Sequence, residues 1–200
     1  MFMPAISIIT PTWQRPIWIV ERCLRSVAQQ SFTDWEHIIC SDGEEEPLVK
    51  QLVESTGDAR LRYAVMQPAE REYGNAVRKV CVGMAKGEYC VFLDDDNIIF
   101  PAYLEKKIGM MRNNPDAAMV ISQLLHFGPL PDSFGKAPQV LRADRPYLQE
   151  IDTLQVMIKT AVIAELPWED KGYLADGYTF QKIASAYPWV SLHEVLAAHL

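Results

Sequence analysis

Residues 88–97 read Glu88-Tyr89-Cys90-Val91-Phe92-Leu93-Asp94-Asp95-Asp96-Asn97. Residues 88–93 are mainly aromatic, β-branched and apolar, the composition of a buried strand. Three consecutive carboxylates follow at the mouth of that strand. They repel one another, and a hard divalent cation with oxygen ligands relieves the repulsion. Mg²⁺ in such places sits on one or two carboxylates plus substrate phosphates. An ion held there bridges a diphosphate and neutralises a leaving group. The plainer alternative is a solvated turn, with an aspartate or Asn97 capping the helix that Pro101 opens.

Outward from this stretch, strands and helices alternate. Residues 5–10 form a short Ile-rich run ending at Thr10-Pro11, a buried strand. Pro16 opens a helix with Ile17, Val20, Leu24 and Val27 on one face. Residues 35–41 predict a second strand, stopped at Asp42-Gly43, and 47–55 a short helix. Residues 60–66 predict a third strand, placed at an edge. Residues 75–86 predict a helix with Val77, Val80, Cys81 and Met84 inward and Gly87 as its stop. Beyond Pro101, Leu104, Ile108 and Met111 mark another helix, and 117–122 another buried strand. Such alternation predicts an α/β fold with a mostly parallel central sheet flanked by helices. After residue 126 the pattern decays. Residues 127–138 hold five Gly or Pro in twelve positions, a loop or lid. Residues 151–163 and 177–187 predict helices.

The chain of 200 residues suits one domain with one sizeable core. No linker divides it. Nineteen basic against 26 acidic residues give a net charge of −7, which argues against a nucleic-acid-binding face. No apolar run reaches the ~18 residues of a membrane span. The start, Met1-Phe2-Met3-Pro4, lacks a signal-peptide pattern, so a cytoplasmic location is expected. Cys23, Cys40, Cys81 and Cys90 form no C-x-x-C pair and predict buried free thiols.

Ligands of open parallel sheets bind beyond the carboxyl ends of the strands. The polar signals fall there: Thr10-Pro11-Thr12, Ser41-Asp42-Gly43 and Asp94-Asp95-Asp96-Asn97. No glycine-rich P-loop or dinucleotide fingerprint is present, nor a nucleophile elbow. A phosphate would therefore rest on a metal and on side chains such as Arg15, Arg71, Arg78 or Lys79.

With these residues in view, the chain resembles family 2 glycosyltransferases of the GT-A fold. The resemblance is carried by residues 6–12 with Arg15, by Gln29-Gln30-Ser31-Phe32 before Trp35-Glu36, and by Gly74-Asn75-Ala76-Val77-Arg78. Ala85-Lys86-Gly87-Glu88-Tyr89 and the DxD segment complete it. It is dense over residues 5–125 and thinner afterwards, and it implies a nucleotide-binding half over residues 1–97 and an acceptor-binding half over 98–200. It implies an inverting, metal-dependent transfer of sugar from a nucleotide-sugar donor, by family habit UDP-linked, to a saccharide or other hydroxyl acceptor. Thr10, Pro11 and Thr12 would line base and ribose, with Arg15 nearby. Asp42 would accept a hydrogen bond from the base, and Arg78 would lie near the diphosphate or donor sugar. Asp94 and Asp96 would be the DxD pair around Mn²⁺ or Mg²⁺, with Asp95 at the ribose or sugar. His199 or His193 would supply a further ligand, as a late His does in some members. The Glu44-Glu45-Glu46 run departs from the family's turn and is expected in solvent.

Transfer with inversion also needs a general base on the acceptor hydroxyl. By resemblance this is Asp176, at the start of the helix after the acceptor region. Asp170 or Glu169 is the alternative, and a helix N-cap is a further role open to Asp176. Asp152 is a site or capping candidate. Trp168, Tyr173 and Tyr147 are candidate sugar-stacking rings or core residues, and His37 is expected to be structural. Two other readings stand beside this one. A sugar nucleotidyltransferase would use similar parts, but the missing glycine-rich basic loop counts against it. A non-catalytic carbohydrate- or partner-binding domain would not need the intact Asp94–Asp96 and Asp176.

Overall fold

Strand β1 (Ile6–Thr12) lies between β2 (Trp35–Asp42) and β4 (Tyr89–Phe92), parallel to both. β3 (Leu61–Met66) pairs parallel with β2 and ends the row, the edge position expected of it. The computed structural model describes residues 3–127, 138–148, 151–166, 168 and 172–200. With β5 (Ile98–Ile99), β6 (Met119–His126), β7 (Gln139–Leu141), β8 (Val156–Lys159) and β9 (Trp189–His199), its sheet runs β3-β2-β1-β4-β8-β6-β9-β5, and β7 lies alongside β6. The second half is mixed. β8 is antiparallel to β4 and β6, and β9 is parallel to β6. β5 closes the row antiparallel to β9.

Period-two alternation divides the core between the two faces of the sheet. Ile9, Phe92 and Ile121 face one cluster, with Val77 of α3 (Asn75–Val82), Ile163 of α5 (Thr160–Glu165) and Phe180 of α6 (Ala175–Ala186). Ile8, Val91 and Val120 face the other. There they meet Cys23 and Val27 of α1 (Ile17–Ala28), and Leu104, Ile108 and Met111 of α4 (Tyr103–Asn113). A third cluster joins α1 to α2 (Pro47–Ser55) through Val20, Ile39, Val49 and Val53. All four cysteines are buried and free.

Several expectations need correction. Helix α3 stops at Val82 rather than near 86, because the backbone beyond it finds tertiary partners. Lys86 N–H donates to Glu36 Oε1 at 2.7 Å and Gly87 N–H to Ser7 Oγ at 2.9 Å. Gly87 is therefore a close-approach residue and not a helix stop. A Cβ there would lie 2.5 Å from Ser7 N and 2.7 Å from Ile6 C. Val80 points outward, 46% exposed, and the buried face carries Asn75 and Arg78 beside Val77 and Cys81. The segment 151–163 is not one helix. It forms a 3-10 turn (Thr153–Gln155), then β8, then α5. Its apolar run Val156-Met157-Ile158 fills the gap between β4 and β6, and pairing on both sides overrides local helix preference. Helix α6 starts at Ala175, which sets Asp176 in its first turn.

The topology gathers the polar strand ends on one edge. β1, β2 and β4 are parallel, so Thr12, Asp42 and Asp94–Asp96 come out together. Two antiparallel steps, β4 to β8 and β8 to β6, make β6 parallel to β4, and β9 follows β6. His126 and His199 therefore finish at that same edge, and Asp152, just before β8, joins them.

Candidate active site

A cleft of about 740 Å³ opens at this edge. On one wall Arg15 grips two of the three aspartates. Its Nε donates to Asp95 Oδ1 at 2.9 Å and its Nη2 reaches Asp96 Oδ2 at 3.0 Å. Burial pushes the Asp95 carboxyl up to about 6, against the lowering pull of Arg15. Arg22 donates to the Asp96 carbonyl at 2.6 Å and pins the turn from the α1 side. Arg78, buried in α3, pairs with Asp94 and donates to the Tyr73 carbonyl at 2.8 Å. It also reaches Asn75 Oδ1 at 3.3 Å, and Trp168 donates to that same oxygen at 2.9 Å. Two arginines thus neutralise much of the repulsion within the triplet. Asp94 and Asp96 keep 29% and 30% of their side chains exposed to the cleft.

The next wall is a strap over the end of β2. Both carboxylate oxygens of Asp42 accept backbone N–H bonds, from Glu70 at 3.0 Å and Arg71 at 2.8 Å. The Arg71 side chain returns to the Asp42 carbonyl and lies 4.2 Å above the Trp13 ring. Asp42 is thus a loop anchor on the cleft wall as well as a candidate base contact. Gly74, at φ +75°, lets the strap approach Pro11, since a Cβ there would sit 2.8 Å from Pro11 Cβ. Pro11 and Thr12 line the cleft. Thr10 does not: its side chain is fully buried, with Oγ1 2.8 Å from His37 Nε2. Its expected nucleotide contact gives way to an interior hydrogen bond. Burial holds His37 at about 3, so the ring is neutral, in the structural role expected of it.

Asp176 also lines the cleft, and its Oδ1 accepts the Gly177 N–H at 2.7 Å. Burial pushes its carboxyl up to about 7 and the charge of Asp152 adds to this, while the Gly177 bond and Arg78 oppose it. Asp152 caps the 3-10 turn through Leu154 N–H at 2.8 Å, and its other oxygen lies 2.8 Å from His199 Nδ1. Burial alone would raise Asp152 and lower His199. Their mutual hydrogen bond and charge outweigh it in both, so Asp152 falls below and His199 rises above its ordinary value. His126 stacks on His199 with centroids 4.2 Å apart. Tyr73 and Tyr173 meet edge to face at the mouth, centroids 5.7 Å apart.

Other candidates fall elsewhere. Lys79 is exposed and outside the cleft. His193 is on the surface, 3.4 Å from Asp144. Trp168 packs in the core between Phe92 and Phe180, too buried to stack on a sugar. Tyr147 is exposed away from the cleft. Glu44 and Glu45 face solvent, whereas Glu46 is half-buried and accepts from Gln14 N–H at 3.0 Å. Glu169, Asp170 and residues 128–137 of the predicted lid lie outside the described residues. Sequence reasoning missed Trp13, Tyr73 and His126 as cleft residues. The one signal for His126 was its place at the carboxyl end of an apolar strand.

The glycosyl transferase family 2 model matches residues 7–161. An uncharacterized glycosyltransferase of Methanocaldococcus jannaschii, MJ1057, is 23% identical over 98% of this chain and 70% of its own length. The putative colanic acid biosynthesis glycosyl transferase WcaA of Escherichia coli is 35% identical over 47% of this chain and 33% of its own. The structure of S. aureus TarS 1-349 in complex with UDP-GlcNAc superposes with a TM-score of 0.75 at 16% identity, covering 97% of this chain and 58% of that one. The mannosyltransferase PcManGT from Pyrobaculum calidifontis, in complex with GDP-Man and Mn²⁺, gives 0.73 at 17%, covering 99% and 57%. The chain thus spans well under two thirds of these two solved structures. No helix among the described residues is long and apolar enough to cross a membrane. With three quarters of its length under the family model and a GT-A-like sheet carrying the polar cleft, the chain belongs to glycosyl transferase family 2.

Proposed function

We propose that the protein transfers a glycosyl group, with inversion, from a nucleotide-sugar donor to an acceptor hydroxyl across this cleft. The observation that carries the reading is the convergence of two sets of groups in one cavity. An arginine-gripped acid triplet and a buried carboxyl pushed up to about 7 line it together. Relatives of the same fold bind UDP-GlcNAc, or GDP-Man with Mn²⁺, which supports a nucleotide-sugar donor.

On the donor side, Pro11, Thr12 and the Asp42 strap face the base and ribose. Arg15 and Arg78 hold the acid triplet in place and offer positive charge to the diphosphate. The donor set of Asp94 and Asp96, two partly exposed carboxylates on one turn, fits a hard divalent cation such as Mn²⁺ or Mg²⁺. Such an ion, when bound, supplies positive charge to the departing diphosphate. On the acceptor side, Asp176 takes the proton of the attacking hydroxyl. As it does so, the hydroxyl oxygen bonds to the anomeric carbon, and the bond to the diphosphate breaks with its electron pair leaving on the diphosphate. A base titrating at about 7 is half ionised near neutrality and still drives proton removal.

The test is a melting-temperature panel of UDP, GDP and their sugars, with and without Mn²⁺. A matched donor at about 100 times its Kd should stabilise by about 2.7 kcal/mol, roughly 5–10 °C for a chain of this size. That shift should require Mn²⁺ and vanish in Asp96→Asn. Asp176→Asn should keep the shift and lose transfer. An unchanged Mn²⁺-dependent shift in Asp96→Asn overturns the ligand assignment, and normal transfer by Asp176→Asn overturns the base.

A further inference from the structure

His126, Asp152 and His199 take no step in the transfer just described, yet they form a hydrogen-bonded and stacked cluster lining the same cleft. The register of the parallel pair β6 and β9 sets His126 directly opposite His199. Their rings stack with an interplanar angle of 29°. One ligand atom from each of the three residues lies within 4.8 Å of the other two. A small divalent ion holds nitrogen and oxygen ligands at about 2.0–2.2 Å, which sets them about 3.4 Å apart around a tetrahedron. Side-chain adjustments of under about one ångström close that difference.

The support beneath the group is built like the outer shell of a metal centre. Asp152 has one oxygen fixed by Leu154 N–H, while its backbone N–H donates to Gln155 Oε1 at 3.0 Å. The turn is held from below by wholly buried groups. Tyr103 OH donates to the Leu154 carbonyl at 2.8 Å and Lys107 Nζ to the Gln155 carbonyl at 2.7 Å. Gln155 Nε2 ties the turn to the carbonyls of Ser122 at 3.0 Å and Arg142 at 2.9 Å. A simple ion pair between Asp152 and His199 does not require the second, stacked imidazole. Two facing imidazoles cannot both carry charge cheaply, whereas as neutral rings they present two nitrogens toward one carboxylate.

We propose that His126, Asp152 and His199 form a divalent-metal centre separate from the Asp94–Asp96 carboxylates. The two-nitrogen, one-oxygen donor set takes a borderline ion such as Zn²⁺ or Co²⁺ and leaves coordination positions open to the cleft. The ion replaces the proton between His199 and Asp152. This assignment makes His199 a ligand of its own centre and not of the DxD ion, and it does not depend on the donor or on the reaction.

Co²⁺ alone, titrated into the full chain, is the probe. The expected result is visible absorption from imidazole-bound Co²⁺ and paramagnetic shifts on the ring protons of two of the four histidines. Affinity should fall about 100-fold or more in His126→Ala and Asp152→Asn, beyond the 10–100-fold that an outer-shell loss costs. It should persist in Asp96→Asn. His126→Gln, closer in size, serves if the alanine variant does not fold, and the histidine shifts of the unsubstituted protein need no variant. The proposal is overturned if no histidine shifts, if Co²⁺ binding survives loss of His126, or if it disappears in Asp96→Asn.

Discussion

Replacing Asp176 by asparagine should stabilise the protein at alkaline pH while it removes the proposed base. Asparagine keeps the shape and the oxygen that accepts the Gly177 N–H. What it removes is an ionisation that the folded protein resists. The carboxyl rises from its ordinary 3.8 to about 7, chiefly through burial and then through Asp152. Between those values the folded chain holds a proton that the unfolded chain has released. Wild-type stability therefore falls as pH rises from about 4 to about 7, and is flat above. At about 1.36 kcal/mol per pH unit the whole interval is worth as much as about 4 kcal/mol. From about pH 5 to about pH 8 the variant should gain about 2–3 kcal/mol on the wild type, or about 2–4 °C of melting temperature for each kcal/mol. Urea unfolding of both proteins at the two pH values measures this without any substrate. Other titrating groups are common to both proteins and largely cancel in the difference. A stability difference that does not change with pH would refute the reasoning, because Asp176 would then ionise like an exposed carboxylate and have no matched pKa for catalysis.

Three further outcomes follow from the geometry. Gly87→Ala places a methyl 2.5 Å from Ser7 N, so about 2–3 kcal/mol should be lost in denaturant unfolding unless the backbones part. Thr10→Val leaves buried His37 Nε2 without its partner and should cost about 1–3 kcal/mol, while nucleotide affinity by calorimetry stays unchanged because Thr10 is off the cleft. Arg78→Met strips Asp94 of its cation and the Tyr73 carbonyl of its donor. It should cost about 3–5 kcal/mol in unfolding and weaken nucleotide binding by more than tenfold.

Most of the first half of the fold was legible because its elements carry their own signals. Ile6, Ile8 and Ile9 are a buried-strand run, and Val20, Leu24 and Val27 recur with helical period, whatever surrounds them. The acid triplet and Asp42 were found by a rule about strand ends, which needs only the strand order. The second half carries no such local signal. Val156-Met157-Ile158 is apolar in the manner of strand and helix alike, and only its neighbours β4 and β6 decide between them. β9 mixes buried and exposed positions without alternation, since it shifts register against β6 between Ser122 and Leu124. The pairing of Asp152 with His199 spans 47 positions and that of Arg15 with Asp95 spans 80, beyond the reach of any spacing rule. Thr10 misled for a related reason: the strand-end rule names the right edge, but Thr10 lies two residues inside the end of β1, where its hydroxyl meets His37 in the interior.

The insertion of β9 between β6 and β5 bears on how the cleft comes into being. Leu200 N–H donates to Asn97 Oδ1 across 103 positions, tying the last strand to the turn after the acid triplet. Ile6 of β1 likewise meets Tyr89 of β4 from far along the chain, and Met119 of β6 meets Trp189 of β9. The acid triplet and His199 therefore come to one edge only where such distant segments have paired. The cleft is a record of tertiary assembly: its groups share one edge only in molecules in which β4 and β9 have both found their slots.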